Sequence, residues 1–318
     1  MWLTKERIQF FPITLFAVVM GLAGLAIAYE KAHHLLGLPK LPFLLLLGIS
    51  SLLFLNNVIV YAIKAVQFPD EVKAEFFHPI RMNFFPAVSI SLLLLGIAYY
   101  SSYPMVAISL WFIGTALHTL LTLYIFSYWI RNNFEIIHSN PAWFIPIVGN
   151  VIIPIVGVDI LGSEAMVFYF SVGIFFWLVL FTVVLYRIIF HHQLPEKFLP
   201  TLFILIAPPA VGFVSYLRIT MNYDFFAIFL LDIGYFFTLL LFFMGRSFVR
   251  IRYFVSWWAF TFPLDAITIA STVAYQVTGY GFYRYASYGL LAITTIVIAT
   301  VAYQTLVHVQ KREICIQE

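Results

Sequence analysis

Proline placement constrains this chain more than any other feature. Ten apolar stretches occur, at 8–29, 41–63, 83–101, 104–128, 142–160, 164–187, 198–218, 223–245, 253–278 and 282–309. Each is close to the roughly 20 residues a helix needs to cross the hydrocarbon of a bilayer. The even-numbered stretches have no proline in their interiors. The odd-numbered ones carry Pro12, Pro86, Pro146 with Pro154, Pro208 with Pro209, and Pro263. Proline removes a backbone donor and clashes with the preceding helical turn. At membrane depth it is tolerated where protein or a water-filled cavity satisfies the carbonyls it frees. The leading prolines recur about every 60 residues, the length of one helical hairpin, and their surroundings recur as Phe10-Phe11-Pro12, Phe84-Phe85-Pro86, Phe144-Ile145-Pro146 and Thr261-Phe262-Pro263. Internal repeats of this kind mark channel and transporter architectures.

Composition rules out a soluble chain: 63% of the 318 residues are hydrophobic and 10% are charged. Lys5, Glu6 and Arg7 lead straight into the first stretch, so no cleavable signal peptide is expected. Ser101-Ser102-Tyr103 and Leu161-Gly162-Ser163 are very short connections, which suggest hairpins. Lysine and arginine are unevenly distributed: thirteen fall on one side of the alternating stretches and only Lys31, Lys40, Arg218 and Arg284 on the other. The positive-inside rule then places both termini in the cytoplasm. The expected fold is an all-α integral membrane protein of the cell (plasma or inner) membrane, with residues 1–318 forming one transmembrane domain. Ten helices make five hairpins in a quasi-five-fold ring, with the odd helices around a central pore.

The stretch Trp257-Trp258-Ala259-Phe260-Thr261-Phe262-Pro263-Leu264-Asp265 reads as the narrowest part of that pore. Phe262 is either an apolar plug that blocks ions by dewetting or an ordinary packing residue. Small or polar groups beyond the breakers are the pore-lining candidates: Thr14, Ala17, Ala87, Ser91, Asn150, Ala210, Ser215 and Ala266. Such groups offer the weak, repeated binding that lets an ion leave as well as enter. Pro12, Pro86, Pro146, Pro208 and Pro263 are expected to kink the pore helices. Asp265 shares a polar stripe with Thr261, Thr268 and Thr272 at helical spacing. An ionisable residue at membrane depth marks a candidate functional site, here a pH sensor. It is either neutral and donating a hydrogen bond, or ionised and paired with Arg218 or a protonated His118, with Asp232 able to join the network; a structural hydrogen bond between helices is the other reading. Arg81, Arg131, Arg246, Arg250 and Arg252 gather at the cytoplasmic mouth, where they either concentrate anions or contact lipid phosphates.

The text Glu75-Phe76-Phe77-His78-Pro79-Ile80-Arg81-Met82-Asn83-Phe84-Phe85, then Val148-Gly149-Asn150, Leu194-Pro195-Glu196-Lys197, Ala207-Pro208-Pro209-Ala210 and the Trp257–Pro263 string resemble the tellurite-resistance/dicarboxylate transporter family. That family includes TehA and the slow-type anion channels of plant guard cells. The resemblance covers nearly the whole chain. It implies a pore in each subunit lined by helices 1, 3, 5, 7 and 9, a homotrimer, and a gating phenylalanine at Phe262. It implies small anions as cargo. The two readings it leaves are a passive channel and a proton-linked carrier or exporter of C4-dicarboxylate, tellurite or sulfite. Segment 1 departs from the TehA pattern, which has more glycine at the positions of Thr14 and Ala17. Asp265 departs from the plant pattern, which has a small or hydroxylated residue there.

Enzyme chemistry finds no support. His33-His34 and His191-His192 are surface pairs, and no His-x-x-His or His-x-x-x-His occurs. His118 lies mid-membrane and reads as a hydrogen-bonded packing residue. No phosphate loop, dinucleotide fingerprint or nucleophile elbow is present. Cys315 is the single cysteine, so no internal disulfide or thiolate cluster can form. No cofactor, metal or nucleic-acid partner is expected; the partners are small anions, the lipid bilayer and copies of the same chain.

Overall fold

The computed structural model describes residues 4–316, and among these the protein is helical with no strand. Nine helices are long and apolar enough to cross a membrane: α1 (Ile13–Leu36), α2 (Leu41–Gln67), α3 (Arg81–Tyr99), α4 (Pro104–Arg131), α5 (Pro141–Leu161), α6 (Ser163–Phe190), α7 (Glu196–Thr220), α8 (Phe225–Phe243) and α10 (Gly281–Gln310). Between the last two lies α9 (Thr261–Thr278), entered through a 3-10 stretch at Val255–Phe260. The sequence pattern counts α9 as a tenth span, yet it is not among the nine. Thr261, Asp265, Thr268, Ser271 and Thr272 make it polar, and all five are buried inside the protein. A helix enclosed by its neighbours needs no lipid-compatible surface, because its polar side chains face protein rather than lipid.

Burial separates the helices into two sets. In α1, α3, α5 and α7 the most apolar window is 72–89% buried, whereas in α2, α4, α6, α8 and α10 it is 17–39% buried. The second set exposes large apolar side chains, among them Leu52, Ile59, Phe168, Phe175, Leu239 and Phe243. Only a lipid environment makes such a surface favourable. The chain is a multi-span membrane protein. Each buried helix packs against the exposed helix that follows it. The buried helices also meet one another, α1 with α3, α3 with α5, α5 with α7, α7 with α9, and α9 with α1.

The prolines sit where the backbone changes character. Pro86 begins the α-helical part of α3 after a 3-10 turn at Arg81–Phe84. Pro146 is in the first turn that follows Pro141–Phe144, and Pro154 restarts α5 after Ile153. Pro208 and Pro209 open the α-helical part of α7 after an 11-residue 3-10 stretch, Glu196–Ile206. Pro263 lies in the first turn of α9, while Pro12 precedes the 3-10 turn Ile13–Leu15. In a first turn the missing N–H costs nothing, since it has no acceptor there. The residues before Pro86, Pro146, Pro154 and Pro208 are themselves in the right-handed helical region, so each of these prolines sits within a first turn. The five positions thus mark junctions from looser to α-helical backbone, where a bend within a continuous helix was expected.

Glycine permits the closest helix contacts. A Cβ on Gly21 would lie 2.1 Å from Thr261 Oγ1, and one on Gly24 would lie 2.5 Å from Asp265 Oδ2. These two positions let α1 and α9 approach along the polar stripe of α9.

Candidate ion pathway

A cavity of about 530 Å³ is lined by residues of all five proline-bearing segments. Its inner wall is mostly apolar, with Met20 from α1, Ile90 from α3, Val148 from α5, Ile204 from α7 and Phe262 from α9. Its rim is charged and polar. Glu71, Glu75 and His78 come from the segment after α2, Arg81 from the start of α3, Lys197 from the start of α7 and Glu313 from the C-terminal segment.

The firmest part of the rim is a buried ion pair. Lys64 Nζ lies 2.8 Å from Glu75 Oε2, and both side chains are 4% exposed. Lys64 also donates to the Phe11 carbonyl at 2.8 Å. Glu75 accepts from the Tyr61 hydroxyl at 2.9 Å and from the Ile13 backbone amide at 2.8 Å. Glu75 rides on a short helix, Pro69–Phe76. It supplies an acceptor to the first amide after Pro12, where the chain has no helical carbonyl to offer. Lys64 is therefore not a free surface charge, although the positive-inside count treats it as one.

The C-terminal segment folds against the same rim. Ile314 and Cys315 are 4% and 5% exposed and line the cavity. Arg312 and Cys315 adopt left-handed backbone, φ 65° and 61°, which turns the chain back toward the protein. Burial pushes the Cys315 thiol up to about 12.

The site residues read from sequence are distributed unevenly. Phe262, Pro12, Pro263, Thr14 and Ala17 line the cavity. Ala87, Ser91, Asn150, Ala210, Ser215 and Ala266 do not line it and are buried. Ser91 donates to the Ala87 carbonyl at 2.7 Å. Asn150 donates to the Pro146 carbonyl at 3.0 Å and to Thr122 Oγ1 at 3.3 Å. Ser215 Oγ has no hydrogen-bond partner. Of the arginines expected at the mouth, Arg81 lines the cavity; Arg131, Arg246, Arg250 and Arg252 do not.

Asp265 is fully buried between α1 and α9, and neither of its carboxyl oxygens has a hydrogen-bond partner among the described residues. The expected pairing with Arg218 or His118 is not formed. Arg218 bonds Asp159 and donates to the Ile155 carbonyl at 3.0 Å. His118 lies 2.9 Å from Ser89 Oγ through Nδ1 and 3.1 Å from the Pro146 carbonyl through Nε2. A carbonyl only accepts, so Nε2 carries a proton there. His118 occupies the space over Gly149, where a Cβ would lie 2.0 Å from its ring. It is a packing residue, as its isolation from other histidines suggests. The Lys64–Glu75 pair escaped the reading from sequence. Lys64 counts there only as a cytoplasmic charge, and Glu75 enters only as the first residue of the Glu75–Phe85 motif, with nothing to join the two.

The profile of the SLAC1 voltage-dependent anion channels matches residues 10–306. The chain belongs to that family. An uncharacterized transporter of Methanocaldococcus jannaschii is 29% identical over 311 residues, covering 90% of this chain and 91% of that protein. The S-type anion channel SLAH2 of Arabidopsis thaliana is 30% identical over 284 residues, covering 85% of this chain and 54% of the plant channel. This chain thus spans about half of the plant protein's length. The tellurite resistance protein TehA homolog of Haemophilus influenzae is 27% identical over 271 residues, with 83% and 81% covered. Membership in the SLAC1 family makes anion transport the coarse function. Of these three relatives, one is named a transporter, one an anion channel and one a tellurite resistance protein.

Proposed function

We propose that this protein is a passive channel for small anions, closed at Phe262. The observation that carries the reading is a single cavity walled by all five proline-bearing segments and reaching Phe262. In this reading α9 is a tenth span, and the ten helices form five hairpins around one pore within a single domain, residues 1–318. Both termini face the cytoplasm of a plasma or inner membrane, and three copies assemble with one pore each. Charged groups at the rim, Arg81 and Lys197 among them, meet the anion first. Beyond them the path is apolar, and a phenyl ring across it excludes water and therefore ions. The prolines hold the odd helices in the geometry that leaves this path open up to the ring. Deeper small groups, Ala87, Ser91, Asn150, Ala210, Ser215 and Ala266, are the candidates for lining it past the ring.

Planar-bilayer recording of the purified protein tests the proposal. Wild type is expected to pass little anion current, and Phe262→Ala to pass discrete, larger steps. Wild-type currents in a correctly assembled Phe262→Ala protein would remove Phe262 from the gate. A second reading, a proton-linked carrier or exporter of dicarboxylate, tellurite or sulfite, has support in the names of the archaeal transporter and the TehA homolog. Proton-dependent uptake into liposomes without unitary steps favours it over the channel.

A further inference from the structure

A second, smaller cavity of about 230 Å³ lies beside the first and shares Ile80 and Phe198 with its wall. Its walls are otherwise Ile137, Leu194 and Pro195, with the polar groups Arg187, His138, Asn140 and Gln193, and no carboxylate. Arg187 stands in the last turn of α6 and is 1% exposed. Its Nε and Nη1 have no hydrogen-bond partner among the described residues. Among the described residues it makes no ion pair with Asp or Glu.

A buried guanidinium without acceptors is costly, because it has lost its water and gained nothing in exchange. Native proteins leave few buried polar groups unpaired, and the exceptions point to a missing water, ion or ligand. Here the exceptions cluster. His138, which lines the same cavity from the loop before α5, also has a buried Nδ1 without a partner among the described residues. The loop itself is held firmly. The His138 carbonyl accepts from Asn140 Nδ2 at 3.1 Å and from Trp143 Nε1 at 3.0 Å. Asn140 Oδ1 accepts from the Ala142 amide at 2.9 Å. The unpaired groups are thus part of an ordered structure. The cavity is several times the roughly 30 Å³ that a water molecule occupies in the liquid.

We propose that Arg187, with His138, forms a buried site for a compact oxyanion of the phosphate class, off the axis of the main cavity. Guanidinium groups match the oxygens of such anions with charge-assisted hydrogen bonds. The anion is either free in solution or the phosphate of an anionic lipid headgroup. Because Ile80 and Phe198 separate the two cavities, an occupant presses on the wall of the main one. The site stands whether or not the main cavity conducts.

The test uses the full chain, purified in uncharged detergent and reconstituted in phosphatidylcholine vesicles with and without phosphatidylglycerol. Thermal stability is followed as inorganic phosphate replaces chloride at constant ionic strength. Wild type is expected to gain stability with phosphate, in a saturable way. Arg187→Gln is expected to bind about ten- to a hundred-fold more weakly, the scale of one or two charge-assisted hydrogen bonds. His138→Ala should weaken binding while leaving the buried arginine in place, so it serves if Arg187→Gln does not fold. Stabilisation by phosphatidylglycerol alone, lost in the same variants, identifies the headgroup as the source and keeps the site. No stabilisation of wild type by phosphate or by phosphatidylglycerol, or full stabilisation retained in the variants, overturns the proposal.

Discussion

The Lys64–Glu75 pair should reveal its role in a double-mutant cycle. Both side chains are 4% exposed, so neither charge has water to fall back on. Removing one member of a buried pair typically costs about 3–5 kcal/mol, because the other remains charged and uncompensated. The structure predicts an order within that range. Lys64→Met leaves Glu75 with two donors, the Ile13 amide and the Tyr61 hydroxyl. Glu75→Leu leaves Lys64 with only the Phe11 carbonyl and also orphans the Ile13 amide. Glu75→Leu should therefore be the more damaging single change. In the double variant both charges are gone, and the main remaining costs are the unpaired Ile13 amide and Tyr61 hydroxyl, about 1–3 kcal/mol each. The double should thus be more stable than Glu75→Leu alone. Scanning fluorimetry in detergent reads this as apparent melting temperature. At about 2–4 °C per kcal/mol for domains of about 150–250 residues, and less for larger ones, each single change should lower it by roughly 5–15 °C. Losses that add in the double variant, or a Lys64→Met protein less stable than Glu75→Leu, would refute the argument.

Three further outcomes are expected. Gly149→Ala places a methyl group 2.0 Å from the His118 ring. It should destabilise the protein by about 1–3 kcal/mol or more, and His118→Ala in the same chain should recover part of that; purely additive losses would show that the two do not touch. Asp265→Asn conserves shape and removes a titratable group from the α1–α9 contact, so any acid dependence of transport that arises there should vanish; an unchanged pH response leaves Asp265 as packing alone. Cys315 reacts as its thiolate, and burial pushes that thiol up to about 12. Maleimide labelling should be slow at pH 7 and accelerate as pH rises toward that value, whereas rapid labelling at pH 7 would show that the C-terminal segment is not packed against the rim.

The alternation of proline-free and proline-bearing segments already separates the two classes of helix, and burial follows the same division. A proline acts on its own backbone, and a lipid-facing surface needs apolar residues wherever the fold places it. Both are local demands that one segment can record. The inner position of α9 is legible for a related reason, since Thr261, Asp265, Thr268 and Thr272 fall on one stripe that lipid would not accept. The partners of the polar groups are a different matter. Arg218 reads as a candidate for Asp265, yet it bonds Asp159, and Asp265 faces the backbone at Gly24. Lys64 and Arg187 look alike as cytoplasmic charges. One is spent on Glu75, while the other lies buried and unpaired beside a second cavity. Hydrogen bonds and ion pairs act over a few ångströms, whether their partners are 11 residues apart, as Lys64 and Glu75 are, or 59 apart, as Asp159 and Arg218 are. Which groups meet at that range depends on the packing of whole helices, and so on the tertiary structure alone.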